Sequence, residues 1–138
     1  MLTLDEALAL CAAGRAAATE VGVRLSFAVV DPGGHLLVLL RMDGASWISA
    51  EVAQGKAWTS AAYGVPSAAQ RDSMSSMPAF SSALTTVTHG RFTPQIGAVP
   101  IYRAGTLLGA LGASGATGDK DEAVCRAAAD ATGFDTTS

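Results

Sequence analysis

The chain has 138 residues, of which 49% are hydrophobic and 15% are charged, and its formal net charge is −3 at pH 7. This length suits one domain with its own core, and we expect a single domain over residues 1–138. No basic run is present, which argues against nucleic acid as a partner, and no apolar stretch approaches the roughly 18 residues of a membrane span. The apolar surplus on a small domain favours self-association into a dimer or larger homo-oligomer.

The opening residues predict a helix. Thr3 and Glu6 have the spacing of a capping box, apolar residues then recur at helical spacing to about Glu20, and Gly22 is placed to end the helix. Because this segment lacks a basic region and a cleavage site, we expect a cytoplasmic protein.

The next segment predicts an antiparallel hairpin. Residues 25–30 and 35–41 are two apolar stretches, and the residues between them, Asp31-Pro32-Gly33-Gly34, are typical of a turn. His35 opens the second strand, and Arg41 ends it. A histidine at a hairpin tip is either a solvated turn residue or a ligand, and the sequence leaves both interpretations open.

Two or three helices follow. Residues 50–63 have helical periodicity, Gly64 lies beyond the helix end, and a short helix is expected from Ser67, with further helical turns over residues 80–87. Lys56 is a lone cation in the first of these helices. It is either an exposed lysine or a cation that anchors an anionic ligand.

The stretch from Gly90 to Gly118 predicts two or three strands, with a two-residue turn at Ala104-Gly105. Four glycines lie in or beside these strands: Gly97, Gly109, Gly112 and Gly115. Glycine weakens a strand, so we expect another backbone, a helix or a ligand to approach closely there. A last helix follows, with Asp119 as its expected N-cap and Gly133 at its end. The element order predicts an α+β fold in which helices cover an antiparallel sheet.

Two histidines are the chain's candidates for chemistry near neutral pH. His89 lies in the irregular stretch before the second hairpin, and long loops often carry function. Arg41, Lys56 and Arg91 are candidate cations for an anionic ligand. Neither histidine belongs to a zinc motif, and no nucleophile elbow, P-loop or dinucleotide fingerprint is present.

Five large apolar residues are expected either in the core or on the walls of a pocket: Met42, Trp47, Met74, Met77 and Phe80.

The two cysteines, Cys11 and Cys125, lack the short spacing of a metal motif. Both fall in predicted helices near opposite ends of the chain. We expect two buried, reduced and unreactive thiols, because a cytoplasmic protein rarely keeps a disulfide.

Four segments together resemble the GlcG/HbpS family of haem-binding or haem-degrading domains, which includes the C-terminal domain of PduO-type proteins. They are TLDEA near the start, AVVDPGGHLLVLLRMDGA, EVAQGKAWTSAAYGVPS, and GAVPIYRAGTLLGALGASGATGDKDEAV. The resemblance covers almost the whole chain. It implies a profilin-like antiparallel sheet of about five strands flanked by helices, and assembly into dimers or larger oligomers.

The resemblance also implies a small-molecule-binding protein, with haem as the expected cofactor in an apolar, partly inter-subunit pocket. Haem requires an axial ligand and cations for its propionates. On this hypothesis His35 or His89 ligates the iron, and Arg41, Lys56 or Arg91 faces the propionates.

Two alternatives stay open. One is a haem-independent enzyme in which His89 or His35 is the general acid or base acting on a small, partly apolar metabolite. Departures from the family pattern favour it, among them Trp58 in place of a tyrosine and the unusual segment 73–92. The other is an oligomeric scaffold without a ligand.

Overall fold

The computed structural model describes residues 1–138 and contains five helices and four strands. In chain order they are α1 (Leu4–Val21), β1 (Ser26–Val30), β2 (Leu36–Arg41), α2 (Trp47–Tyr63), α3 (Ser67–Met74), α4 (Pro78–Val87), β3 (Ala98–Arg103), β4 (Thr106–Ser114) and α5 (Gly118–Thr132). None of the helices combines the length and the apolar character needed to cross a bilayer.

The strands form one antiparallel sheet in the order β2-β1-β4-β3. The predicted α+β class is confirmed, but the sheet has four strands rather than about five. The stretch before β3 is bent by local contacts instead: the Gln95 backbone N–H donates to the carbonyl of Thr93 at 2.9 Å. The next N–H, that of Ile96, donates to the Gln95 side chain at 3.2 Å, so this stretch does not pair as a strand.

The helix ends follow the sequence at α1 and at the C-terminus of α5, whereas α2 begins at Trp47, three residues before its expected start, and α3 has Pro66 at its N-cap position with no side-chain cap. Thr3 and Glu6 form the capping box of α1, and Gly22 ends that helix at φ 77°. Gly133 likewise ends α5 at φ 80°. The expected N-cap of α5, Asp119, is wrong. Thr117 caps that helix, because its hydroxyl accepts a hydrogen bond from the Lys120 N–H at 3.4 Å.

The sheet separates two unequal cores. Helices α1 and α5 cover one face, where large side chains such as Phe27, Ile101 and Leu111 are fully buried. Cys11 and Cys125 lie in this core as free thiols, and burial raises the pKa of Cys11 to about 12. The expectation that both thiols are buried is therefore confirmed, and burial of this kind disfavours the reactive thiolate.

Helix α2 covers the other face of the sheet through small residues. Its three buried alanines, Ala53, Ala57 and Ala61, pack against Ala28 and Ala110. Gly112 of β4 lies directly beneath this helix. A Cβ at Gly112 would fall against the carbonyl oxygen of Ala53 and 2.8 Å from the backbone nitrogen of Ala57.

The expected close approach at the four glycines is thus confirmed. A Cβ at Gly109 would meet the Val30 carbonyl, and one at Gly115 would lie 2.5 Å from the Arg24 carbonyl oxygen. At Gly97 it would lie 2.5 Å from the Lys56 ammonium. These glycines bring α2 and β1 close to the second hairpin, and they leave no room for a guest molecule.

We expect Gly112→Ala to lower the free energy of unfolding by about 1–3 kcal/mol, because an added methyl meets rigid backbone rather than a movable side chain. Gly133→Ala is the comparison, since nothing lies within 4 Å of that site and only its left-handed backbone, at φ 80°, opposes alanine. Urea denaturation followed by circular dichroism measures both changes. If Gly112→Ala destabilises the protein no more than Gly133→Ala does, the close packing of α2 on β4 is contradicted.

Candidate functional site

Three of the predicted functional side chains, His35, His89 and Arg91, line one cleft of 570 Å³. We call this the histidine cleft. The β1–β2 turn, one face of α2 and the segment after α4 form its walls. Its other lining residues are Gly34, Leu36, Glu51, Gln54, Gly55, Trp58, Gly90 and Thr93.

The β1–β2 turn holds His35 through the carboxylate of Asp31. One oxygen of Asp31, Oδ1, accepts hydrogen bonds from the backbone N–H groups of Gly33 at 2.9 Å and His35 at 3.0 Å. The His35 ring nitrogen Nδ1 lies 3.2 Å from both carboxylate oxygens. The side chain of His35 is 82% exposed, so its Nε2 edge is open to a ligand.

The same contacts keep Asp31 ionised. Burial opposes the charge, but the hydrogen bonds from the His35 and Gly33 backbones outweigh it and hold the pKa of Asp31 below its usual value. Because folding lowers the pKa of Asp31, the hydrogen bonds to its carboxylate stabilise the folded state at pH values above the pKa that Asp31 has in the unfolded chain. This stabilisation is lost as the pH falls through the pKa of Asp31 in the folded protein. The carboxylate beside His35 is therefore charged at neutral pH.

Helix α2 gives the cleft an aromatic wall. Trp58 packs against the turn, where a Cβ at Gly34 would lie 2.5 Å from Cδ1 of the indole. Glu51, Gln54 and Trp58 recur at helical spacing and line the cleft together. This face was not expected from the sequence, although the spacing of its three residues was a signal for it.

The third wall is fixed to α2 through Thr93. The Thr93 N–H donates to the hydroxyl of Thr59 at 2.8 Å, and the Thr93 side chain fills the space above Gly55. His89 precedes this anchor in the left-handed region, at φ 57°, just after α4. Non-glycine residues are uncommon in this conformation, which here turns the chain from α4 towards the cleft.

Lys56 lies elsewhere and is not exposed. It is 3% exposed, and its ammonium group donates to Oδ2 of Asp121 at 3.1 Å and to the carbonyl of Ala113 at 3.1 Å. The interpretation of Lys56 as an exposed lysine is wrong, because α5 brings a buried carboxylate to it. The predicted role at a ligand finds no support either, since Lys56 is not among the cleft residues.

Arg41 also lies outside the histidine cleft. His35 immediately precedes β2 and Arg41 ends it, so about 20 Å of extended strand separates them. Arg41 lines a second cleft of 450 Å³, together with Arg15 and Arg24. Because β2 is extended, the two predicted site residues at its ends, His35 and Arg41, lie in different clefts.

The predicted apolar wall residues do not line the histidine cleft. Met74 is buried and Met42 packs against the larger core, as expected of core residues. Trp47, Met77 and Phe80 are exposed instead. No three His, Cys, Asp or Glu side chains converge as ligands of a metal ion.

Comparison with known proteins gives a consistent result. Residues 2–130 match the family described as "Haem degrading protein HbpS-like". Protein GlcG of Escherichia coli K12 is 37% identical over 115 residues, which are 83% of this chain and 81% of GlcG.

Solved structures agree with the sequence comparison. The PduOC:heme complex superimposes with a TM-score of 0.88 at 27% identity, over 99% of both chains. A double variant of Streptomyces reticuli HbpS gives a TM-score of 0.82 at 32% identity, over 94% of this chain and 86% of that one.

Proposed function

The chain belongs to the family of HbpS-like haem-degrading proteins, and we propose that it binds haem in the histidine cleft with His35 as the axial ligand. A structural relative over the whole chain, PduOC, was solved as a haem complex. Porphyrin nitrogens supply four of the iron's ligands, so one well-placed imidazole is enough on the protein side. Bound haem would supply an iron centre for redox chemistry or ligand exchange.

The contact between Asp31 and His35 carries this proposal. Histidines that bind metals commonly donate their second ring N–H to a carboxylate, which fixes the tautomer and makes the free nitrogen more basic. Asp31 lies 3.2 Å from Nδ1 of His35 and is itself held by two backbone N–H groups. This arrangement leaves Nε2 of His35 as the ligating atom.

Other cleft residues suit the remaining parts of haem. Arg91 offers a guanidinium group to a propionate, and Trp58 offers an aromatic surface to the macrocycle. The volume of 570 Å³ falls within the range of about 300–1,000 Å³ that small-molecule sites occupy. His89 is available as a second ligand or as a proton donor.

We further propose that a second copy of the chain completes the apolar part of the pocket. Trp47 is 70% exposed and Ile48 is 51% exposed at the start of α2, the helix that also carries Glu51 and Trp58. Side chains four residues apart share a helix face, so Trp47 extends the cleft surface formed by Glu51. A homo-oligomer that covers this end of α2 would shield both the apolar residues and a bound macrocycle from water.

Titration of the purified protein with haemin tests the proposal. We expect a saturable change in the Soret region at one haemin per chain, and co-elution of haem and protein on gel filtration. Hen egg-white lysozyme at the same concentration controls for non-specific adsorption of haemin. Absence of saturation, or binding no stronger than that to lysozyme, would overturn the proposal.

A second function is favoured by the polarity of the cleft, in which Leu36 and Trp58 are the large apolar residues. In this alternative, His89 or His35 is the general acid or base of an enzyme, and Arg91 binds the carboxylate of a small metabolite. The haemin titration separates the two functions, because an enzyme of this kind would bind haemin no better than lysozyme does.

A further inference from the structure

The positive charges of this chain are distributed unevenly between paired and free residues. Of nine lysines and arginines, four form ion pairs with carboxylates: Lys56, Arg71, Arg103 and Arg126. Three of the remaining five, Arg15, Arg24 and Arg41, line a single cleft of 450 Å³ between the end of α1 and the β2 edge of the sheet. We call it the arginine cleft.

Arg24 is held in place within this cleft. Its Nη1 donates to the carbonyl of Asp43 at 3.2 Å. The guanidinium group lies over Gly44, where a Cβ would come within 2.6 Å of Nη1. Any larger residue at position 44 would displace the arginine, and the φ of 82° there also favours glycine. The chain thus fixes a cation at the surface without neutralising it with a carboxylate.

The other two arginines approach from different elements. Arg15 projects from α1 one turn before Thr19, whose hydroxyl donates to the Arg15 carbonyl at 2.8 Å. Arg41 comes from the end of β2. Asp43 is the acidic residue in the lining, so the positive charges outnumber the negative ones. Like charges brought together repel one another, and an anion bound between them relieves that repulsion.

An apolar groove continues from the arginine cleft along α1. This groove has a volume of 770 Å³ and shares Arg15, Thr19 and Leu40 with the arginine cleft. Its remaining lining residues are mostly small or apolar: Leu8, Cys11, Ala12, Ala16 and Glu20. Leu8 is 49% exposed, so apolar surface is open to water beside the cluster of cations.

We propose that the two connected clefts form a second ligand site, which binds an amphipathic anion with an alkyl or similar apolar body and a carboxylate or phosphate head. The head lies among Arg15, Arg24 and Arg41, where guanidinium groups donate paired hydrogen bonds to its oxygens. The body lies along α1 against Leu8 and Leu40, where it removes apolar surface from water. This site is separate from the histidine cleft and does not depend on haem.

Isothermal titration of the full chain with four probes tests the site. They are octyl phosphate, octanoate, 1-octanol and inorganic phosphate, all without haemin. We expect saturable binding of at least one of the two octyl anions, stronger than that of octanol or inorganic phosphate. The stronger of the two anions identifies the head as a phosphate or a carboxylate.

Variants separate the two halves of the site. We expect Arg24→Gln and Arg41→Gln each to weaken the octyl anion by about threefold to tenfold, the effect of one exposed charge-assisted contact. Leu8→Ala should weaken the octyl anions and leave inorganic phosphate unchanged. Arg71→Gln is the matched control, because Arg71 pairs with Asp72 on the surface of α3. His35→Ala should leave octyl anion binding unchanged, which keeps this test independent of haem binding.

Several results would overturn the proposal. If octanol binds as tightly as the octyl anions, the arginines have no role in binding. The same conclusion follows if Arg71→Gln weakens the octyl anion as much as Arg24→Gln or Arg41→Gln does. No saturation with any probe would also overturn it. Finally, if Arg41→Gln and Leu8→Ala together convert an oligomer into monomers in sedimentation velocity, the groove is a contact between copies and the proposed ligand site is overturned.

Discussion

His35→Ala is expected to abolish the saturable Soret change that haemin produces with the wild-type protein. Removal of the imidazole leaves no ligating atom on the Asp31 turn, and His89 lies on a different wall of the cleft. Because His35 is 82% exposed, the substitution should leave folding intact. Haemin titration and thermal unfolding of the same preparation measure the two effects separately.

His89→Ala is the matched histidine variant, and we expect it to retain haemin binding within about tenfold of the wild type, as for loss of one supporting contact. Asp31→Asn should give an intermediate loss, because an amide accepts the Nδ1 proton less strongly than a carboxylate does. A Soret band retained in His35→Ala and lost in His89→Ala would reverse the assignment of the axial ligand. Retention in both single variants would mean that neither histidine is required by itself, and would overturn the assignment of His35 as the sole axial ligand.

Asp121→Asn is expected to destabilise the fold by about 3–5 kcal/mol, the cost of leaving one charge of a buried ion pair without its partner. Asp121 is 1% exposed and Lys56 is 3% exposed, and their charged atoms lie 3.1 Å apart. Asp121 also accepts the Ala116 N–H through its Oδ1 at 3.0 Å. Loss of the charge therefore disturbs both the α2–α5 contact and the loop before α5. Urea denaturation monitored by circular dichroism gives the change in unfolding free energy.

The double variant Lys56→Met/Asp121→Leu tests the physical origin of this effect. With both charges removed, no buried ion is left unpaired, so the double variant should be more stable than Asp121→Asn. Asp72→Asn is the surface control, because Asp72 pairs with Arg71 where its side chain is 71% exposed, and such pairs contribute about 0–1 kcal/mol. A loss in Asp121→Asn no greater than in Asp72→Asn would contradict the importance of the buried pair.

Features that depend on neighbouring residues were predictable from the sequence. The capping box of Thr3 and Glu6 and the glycine at the end of α1 follow from local hydrogen bonding and backbone sterics. The Ala104-Gly105 turn also follows from local backbone sterics, since both residues have positive φ, 49° and 78°. The N-cap of α5 was missed because Thr117 and Asp119 are both good capping residues, and the local pattern does not choose between them.

The site was only partly predictable. The sequence selected His35, His89 and Arg91, which the structure brings to one cleft, but it could not assign their roles. Trp58 stood out in the sequence as a departure from the family pattern, but it was not among the expected wall residues, because only the folded chain brings α2 against the β1–β2 turn.

By itself, the sequence determined the α+β class, the antiparallel hairpins, most helix ends and the glycines that allow close packing, because each depends on short-range hydrogen bonding, sterics or hydrophobic period. The tertiary structure alone decided that Lys56 is buried, since its partner Asp121 lies 65 residues away in the chain. It also decided that Arg41 joins Arg15 and Arg24 rather than the histidines. Whether a charged residue is buried, and which residues form one site, depends on contacts between segments that are far apart in the chain. The local sequence pattern carries no information about those contacts.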